Sequence, residues 1–254
     1  MIEIMNEGTV KDLPRLFYYQ HKAEKHHYAA DDMSDVDADT ELELSFDFGG
    51  RYSCMTVSQE HNEEERILHE FDTNQITEDE RKTGKVLKLP DIVRGFHIKF
   101  DRKMRNRRLR IWGDRTGLNQ REDDSHTLFD QIRAILEDLG WTVEVMATYG
   151  DSGLHKSRYT FMNTIFEEAI DDYPRIRINA YTCPNLVVSL DTTRVTDEFK
   201  KDKKDERNAS FNQSYAPHLT DTLDYKLFNK YRYLLDDEYE YGGYSGIDGG
   251  LENL

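Results

Sequence analysis

The clearest order in the chain is an alternation of apolar and polar positions that sets in at residue 41. ELELSFDF (41–48), RYSCMTVSQ (51–59) and RILHEFD (66–72) place apolar side chains at every second position. That is the period of a strand with one face turned inward. Tight or charged turns separate the three runs, which predicts an antiparallel meander. The period then changes. In LPDIVRGFHIKFDRKM (89–104), Leu89, Ile92, Val93, Phe96 and Phe100 recur at helical spacing, with Pro90 placed to start a helix. RLRIWGD (108–114) reads as a short strand ending at Gly113 and Asp114. DSHTLFDQIRAILEDLGW (124–141) is the strongest helix pattern: Asp124 or Ser125 caps it, Leu128, Ile132, Ile135, Leu136 and Leu139 form its apolar face, and Gly140 stops it. TVEVMA (142–147) follows as a strand. Beyond it come a helix over 155–173, a strand RIRINA (175–180), a short helix PNLVVSLDTT (184–193) and a last helix HLTDTLDYKLFNKYRYLL (218–235).

This order predicts an α/β domain. Its mixed sheet has three antiparallel strands first and parallel βαβ strands after them, flanked by helices. Residues 1–40 read as a lead-in, with one amphipathic piece, LPRLFYYQHKAEKHH (13–27), and an acidic linker. Residues 41–235 carry the domain. Residues 236–254, rich in Gly, Tyr and acid, are expected to be a disordered acidic tail. The Lys-rich stretch 194–208 reads as an excursion before the last helix, a hairpin or a loop.

Composition narrows the function. The 254 residues suffice for one large domain or two small ones. No run approaches the ~18 apolar residues of a membrane span, so no membrane partner is expected. MIEIMNEGTVKD lacks the basic start and apolar stretch of a signal peptide, and Cys54 and Cys183 are expected to be reduced thiols. The net charge of −16 argues against a general nucleic-acid coat. Basic residues are nevertheless concentrated in KFDRKMRNRRLR (99–110) and FKKDKKDER (199–207), so a local DNA contact remains open. The candidates are Arg105, Arg107 and Arg108, with Arg102, Lys103 and Arg110 beside them, then Lys200, Lys201, Lys203 and Lys204, and Lys156 with Arg158. A solvated charged face is the plainer alternative for each group. The nine histidines show neither H-E-x-x-H nor a paired cysteine spacing, which leaves no zinc signature.

Three carboxylates have a placement that joins them. Asp47 lies on the first strand, Asp114 ends the strand after the first crossover helix, and Asp221 lies in the first turn of the last long helix. If the first strand is central and the crossover strand runs parallel beside it, both acids reach the same edge, and a helix packed on the sheet brings the third. Acids so placed raise one another's pKa unless a cation intervenes. Hard oxygen ligands suit Mg²⁺ or Mn²⁺, and two such ions serve phosphodiester hydrolysis. Gly49 and Gly50 would leave room for a backbone approaching from solvent. Taken singly, Asp47 is also a turn residue, Asp114 a loop cap and Asp221 a helix N-terminal acid. His218, near Asp221, can orient a ligand or water, or cap the helix.

SFDFGG (45–50), LRIWGDRTG (109–117), the following helix closed by Gly140 and Trp141, and HLTDTLDY (218–225), which opens as H-x-x-D-x-x-x-Y, form a set. With HKSRYTFMNTIFEEA (155–169) and CPNLVVSL (183–190), they make residues 40–235 resemble the C-terminal nuclease domain of a tailed-phage or prophage terminase large subunit. The resemblance implies an RNase H-like fold and a metal-dependent endonuclease using two Mg²⁺ or Mn²⁺ ions, which cuts concatemeric viral DNA during genome packaging. It implies Asp47, Asp114 and Asp221 as catalytic metal ligands, with Asp47 bridging the ions. Asp224, one turn beyond Asp221, is a candidate fourth ligand, with a purely structural role as the plainer alternative. Double-stranded DNA would be the substrate, an ATPase motor domain and a portal the partners, and the host cytoplasm the location. No G-x-x-x-x-G-K-[ST] is present, and GKVLK (84–88) lacks the upstream glycine and the hydroxyl residue. The motor is therefore not expected here: the chain reads as a nuclease portion or a separately encoded nuclease subunit. The rivals are a Holliday-junction resolvase or transposase-like nuclease on the same fold, and a non-catalytic module docking on portal or motor.

Overall fold

The computed structural model describes residues 15–31, 33–49, 52–74, 88–120, 126–147, 154–208 and 210–234. In chain order the elements are α1 (Ala23–His26), β1 (His27–Tyr28), β2 (Leu42–Phe48), β3 (Ser53–His61), β4 (Glu64–Asp72), α2 (Leu89–Phe100), β5 (Arg108–Gly113), α3 (Leu128–Asp138), β6 (Thr142–Val145), α4 (His155–Glu167), β7 (Arg175–Asn179), α5 (Pro184–Thr192) and α6 (His218–Tyr231). Seven strands form one sheet in the order β1-β7-β4-β3-β2-β5-β6. β2, β3 and β4 are antiparallel neighbours, and β5 and β6 extend the sheet from β2 in parallel. β7 runs parallel to β4 and β1 parallel to β7 on the other side. The architecture is thus α/β with a mixed sheet, and β2, the first strand of the meander, lies inside it.

Strand alternation sends side chains to two faces. Leu42, Leu44 and Phe46 of β2, with Met55 and Val57 of β3, pack against Val93 and Phe96 of α2 and Ile132 and Leu136 of α3. Cys54, Ile67, Ile176 and Ile178 face the other way, onto Phe161 and Ile165 of α4, Leu186 of α5 and Leu219, Leu223 and Leu227 of α6. Helix ends follow local chemistry. Pro90 sits in the first turn of α2. α3 is capped by Thr127, whose hydroxyl accepts from the Asp130 amide at 3.0 Å while the Asp130 carboxylate accepts from the Thr127 amide at 2.9 Å. The cap is therefore later than Asp124 or Ser125, both outside the described residues. Gly140, at φ +85°, ends that helix as expected.

Residues 15–40 differ from a detached lead-in. Phe17 and Tyr18 are buried in the α4–α6 core, and the Phe17 amide donates to the Thr193 carbonyl at 2.8 Å. Among the described residues of the amphipathic piece 13–27, only Ala23–His26 is helical; Phe17 and Tyr18 are buried from irregular chain. The excursion 194–208 is a narrow hairpin, with Val195 bridged to Lys201, followed by a 3₁₀ turn at Lys204–Arg207. Cys54 and Cys183 are free and buried. Among the described residues no helix is long and apolar enough to cross a membrane. The acidic tail 236–254 lies outside the described residues.

Candidate active site

The polar face of β2 is as buried as its apolar face, because α6 lies along it. Glu43, Ser45 and Asp47 are 2%, 0% and 7% exposed. Two strand residues advance by about 6.6 Å and four helix residues by about 6 Å, so one turn of α6 meets each polar side chain of β2. Three pairings show this, with helix and strand in opposite directions. His218 Nδ1 donates to Asp47 Oδ2 at 2.9 Å, Ser45 Oγ donates to the Thr222 carbonyl at 2.7 Å, and Lys226 Nζ lies 3.3 Å from Glu43 Oε2. His218, Asp221, Thr222 and Tyr225 share the face turned to the sheet, at i, i+3, i+4 and i+7.

β5 supplies the third acid. Phe46 of β2 is in register with Gly113 of β5, and the Asp114 amide donates to the Phe46 carbonyl at 3.2 Å. Asp114 therefore stands beside Asp47 at the shared C-terminal end of two parallel strands. Its carboxylate accepts from the Thr116 amide at 3.2 Å and hydroxyl at 2.7 Å, so the loop-cap role is also realised. The phenol of Tyr225 is pushed upward, first by burial and then by the negative charges of Asp221, Asp47 and Asp114, so all three acids lie within electrostatic reach of one ring. Burial likewise raises the Asp47 carboxyl; the His218 hydrogen bond opposes this and the Asp221 charge adds to it. Gly49 has a different reason from the expected one: a Cβ there would lie 2.1 Å from the Tyr52 carbonyl oxygen, so the chain's own turn requires it. Gly50 is outside the described residues.

The excursion enters this site. Lys201 Nζ donates to Asp221 Oδ1 at 2.7 Å and to Thr220 Oγ1 at 3.1 Å, and lies 2.8 Å from Asp224 Oδ2. Lys203 Nζ donates to Asp221 Oδ2 at 2.5 Å. Burial alone would raise the Asp221 carboxyl, but the two ammonium groups outweigh it and hold it down at about 2. Asp224 Oδ1 accepts from the Tyr18 hydroxyl at 2.8 Å. Both oxygens of Asp224 are thus occupied by protein partners, and burial raises its carboxyl despite Lys201. These contacts were not legible in the sequence, where Lys201 and Lys203 read as candidate DNA contacts or a solvated face, and Asp224 as either a fourth ligand or a structural acid. A basic excursion directly before an acidic helix was the available signal.

A second acidic cluster lies further along α6. Carboxylate oxygens of Glu43, Glu60 and Glu65 fall within 4.8 Å of one another. Two ammonium groups already sit among them: Lys226 bonds Glu65 and Ser58, and Lys230 bonds Glu43 and lies 2.9 Å from Glu60. Trp112 Nε1 donates to Glu43 Oε2 at 2.7 Å and the Tyr231 hydroxyl to Glu65 Oε2 at 3.1 Å. This is a compensated ion network, whose lysines take the place a metal would need.

The remaining basic candidates divide by position. Arg108 opens β5 beside Leu42, at the end opposite Asp114, roughly 20 Å away at the rise of a strand. Arg105 pairs with Asp39, Arg107 with Asp101 at 2.8 Å, and Arg108 lies 4.0 Å from Glu41; the structure does not bring them to the acids. On the site's side, Arg158 lies near enough to lower the Asp224 carboxyl, and Lys156 Nζ lies 5.7 Å over the Phe199 ring. Lys200 pairs with Glu198 at 2.5 Å and Lys204 with Asp202 at 3.2 Å, all on the surface.

No family model matches the sequence, and no curated protein matches it. Solved structures do. Two crystal forms of the large terminase from a thermophilic bacteriophage superpose with TM-scores of 0.51 and 0.52 at 11% identity; they cover 88% of this chain and 47% and 46% of theirs. The same terminase in complex with ATP-γ-S gives 0.51 at 12% identity, over 85% of this chain and 45% of that one. The chain spans less than half the length of these structures, and at such identity the likeness is one of fold.

Proposed function

We propose that the chain is a metal-dependent DNA endonuclease that cuts viral DNA during genome packaging. The observation that supports this reading is that Asp47 and Asp114 stand at the shared end of two parallel strands while His218, one turn before Asp221 on α6, bonds Asp47. The donor set fits Mg²⁺ or Mn²⁺ because all three donors are carboxylates with hard oxygen atoms. Asp47, Asp114 and Asp221 would hold the ions, with Asp47 in the middle. When bound, such ions lower the pKa of water and offset the charge that develops on a phosphodiester.

The chain's own residues do the rest. His218 fixes the orientation of Asp47, and Thr116 fixes that of Asp114. Lys201 and Asp224 brace Asp221 from below. Lys156, Arg158, Lys200 and Lys204 are the basic residues on the excursion side that a DNA backbone would meet, Lys200 and Lys204 exchanging Glu198 and Asp202 for phosphate. Little base specificity is expected from phosphate contacts alone. The fold of a bacteriophage large terminase supports the packaging role, with a motor and a portal as partners.

Supercoiled-plasmid cleavage with Mn²⁺, Mg²⁺ or EDTA, wild type beside Asp47→Asn, tests the proposal. Metal-dependent nicking that the variant loses is the expected result. Cleavage retained by folded Asp47→Asn, or none with any metal, overturns it.

A further inference from the structure

The two lysines on Asp221 are not equivalent. Lys201 is 5% exposed and saturated: Asp221, Asp224 and Thr220 take its three protons, and it lies 5.3 and 5.1 Å over the rings of Phe17 and Tyr18. It is part of the core. Lys203 is 45% exposed and bonds one oxygen of Asp221 at 2.5 Å. It is also ion-paired with Glu206 Oε1 at 3.2 Å, on the adjoining 3₁₀ turn. The Lys203 charge also reaches Asp47, whose carboxyl it lowers. The ammonium therefore lies at Asp221, in the field of two of the three acids that the proposed function assigns to metal.

We propose that Lys203 is a built-in counterion of this centre: its ammonium holds a cation's place on Asp221, and a divalent ion must displace it to bind. The inference rests on reading Asp47, Asp114 and Asp221 as a metal centre. One carboxylate oxygen cannot serve both cations without strong like-charge repulsion. Displacement does not strand the side chain, because Glu206 keeps its charge compensated at the rim. From there the ammonium is free to meet the phosphate oxygens of a bound strand, a contact that its bond to Asp221 denies it. The device also offsets the mutual repulsion of Asp47 and Asp221 before metal arrives.

Mn²⁺ binding to the full chain, read by the loss of the free-ion electron paramagnetic signal, tests this without any turnover. Lys203→Met should bind Mn²⁺ about tenfold to a hundredfold more tightly than wild type, since a charge-assisted bond no longer competes. Lys203→Arg, which keeps the charge, should stay near wild type. Lys204→Met removes one positive charge from the same segment without a contact to Asp221, so it separates competition from the general field. Equal affinity in wild type and Lys203→Met, or an equal gain in Lys204→Met, overturns the counterion role while leaving the metal centre standing. No Mn²⁺ binding by any folded variant overturns the centre itself, and this role with it.

Discussion

His218 and Asp47, 171 residues apart, meet through one hydrogen bond of 2.9 Å, in which the imidazole Nδ1 faces the carboxylate. The ring also lies 4.8 Å from that of Tyr52, so it is held between the β2–β3 turn and the start of α6. His218→Ala should leave Asp47 buried with its orienting donor gone. Metal-dependent nicking should fall by about ten- to a hundredfold, in line with the loss of one bond to a charged group. His218→Asn should recover part of it. Nicking rates beside far-UV circular dichroism check this; unchanged rates in folded His218→Ala would remove the positioning role.

Asp221 and Asp224 share Lys201 yet should separate by phenotype. Asp221 faces the sheet beside Asp47. Asp224 is 2% exposed and bonded to Tyr18 and Lys201. Asp224→Asn should cost ~1–3 kcal/mol of stability through the weakened bonds to a charged partner, while metal-dependent cleavage persists. Asp221→Asn should abolish cleavage. Urea midpoints and plasmid nicking on both variants decide it: loss of all cleavage in a folded Asp224→Asn protein would return Asp224 to the ligand set.

What the sequence disclosed follows from the range of each signal. Strand alternation and helical spacing are local, so β2–β6 with α2 and α3 were legible, while the interior place of β2 was only a condition that the strand order meets. The neighbouring strand ends that carry Asp47 and Asp114 follow from a parallel crossover, and a metal role for them and for Asp221 stays a proposal. The alternation in β2 shows one inward face and says nothing of how the other is covered: α6 carries Lys226 and Thr222 at matching spacing and buries Glu43 and Ser45. Only a long-range pairing of two polar stripes reveals that. The roles of Lys201, Lys203 and Tyr18 had the same obscurity: each reaches the acids from a segment without periodicity.

The buried network on that stripe should be structural. Burial alone would raise the Glu43 carboxyl, yet Lys226 and Lys230 hold it at about 2. Lys226→Met removes a cation that is 1% exposed and leaves Glu65 and Glu43 to Lys230 alone. A loss of ~3–5 kcal/mol is expected, the usual cost of breaking a buried pair from one side, and Lys226→Met with Glu65→Gln should regain part of it. Mn²⁺ should leave the Tm of the Asp221→Asn protein unchanged. A rise there would mean that Glu43, Glu60 and Glu65 bind the ion after all.

His69 sets an acid sensitivity that can be isolated. Its ring lies 4.4 Å from Phe71 and 6.4 Å from Phe100. Burial and then the Lys99 charge lower its pKa to about 4, against the weaker opposing pull of the Glu70 carbonyl and Asp35. The unfolded chain takes up this proton near pH ~6.5 and the folded chain only near pH 4. Between those values the unfolded state holds more protons, so stability falls as the pH falls. From about pH 7 to about pH 5 the contribution is about 2 kcal/mol lost. The neighbouring Glu70 works in the opposite sense, since burial raises it to about 7 and folding then favours its protonated form in the same range. The total slope therefore mixes both, and the comparison must be a difference. His69→Phe keeps the ring contacts and removes the titration. Urea unfolding at about pH 7 and about pH 5 should show wild type losing about 2 kcal/mol more than His69→Phe; parallel losses would mean that His69 is protonated as readily in the folded protein as in the unfolded chain.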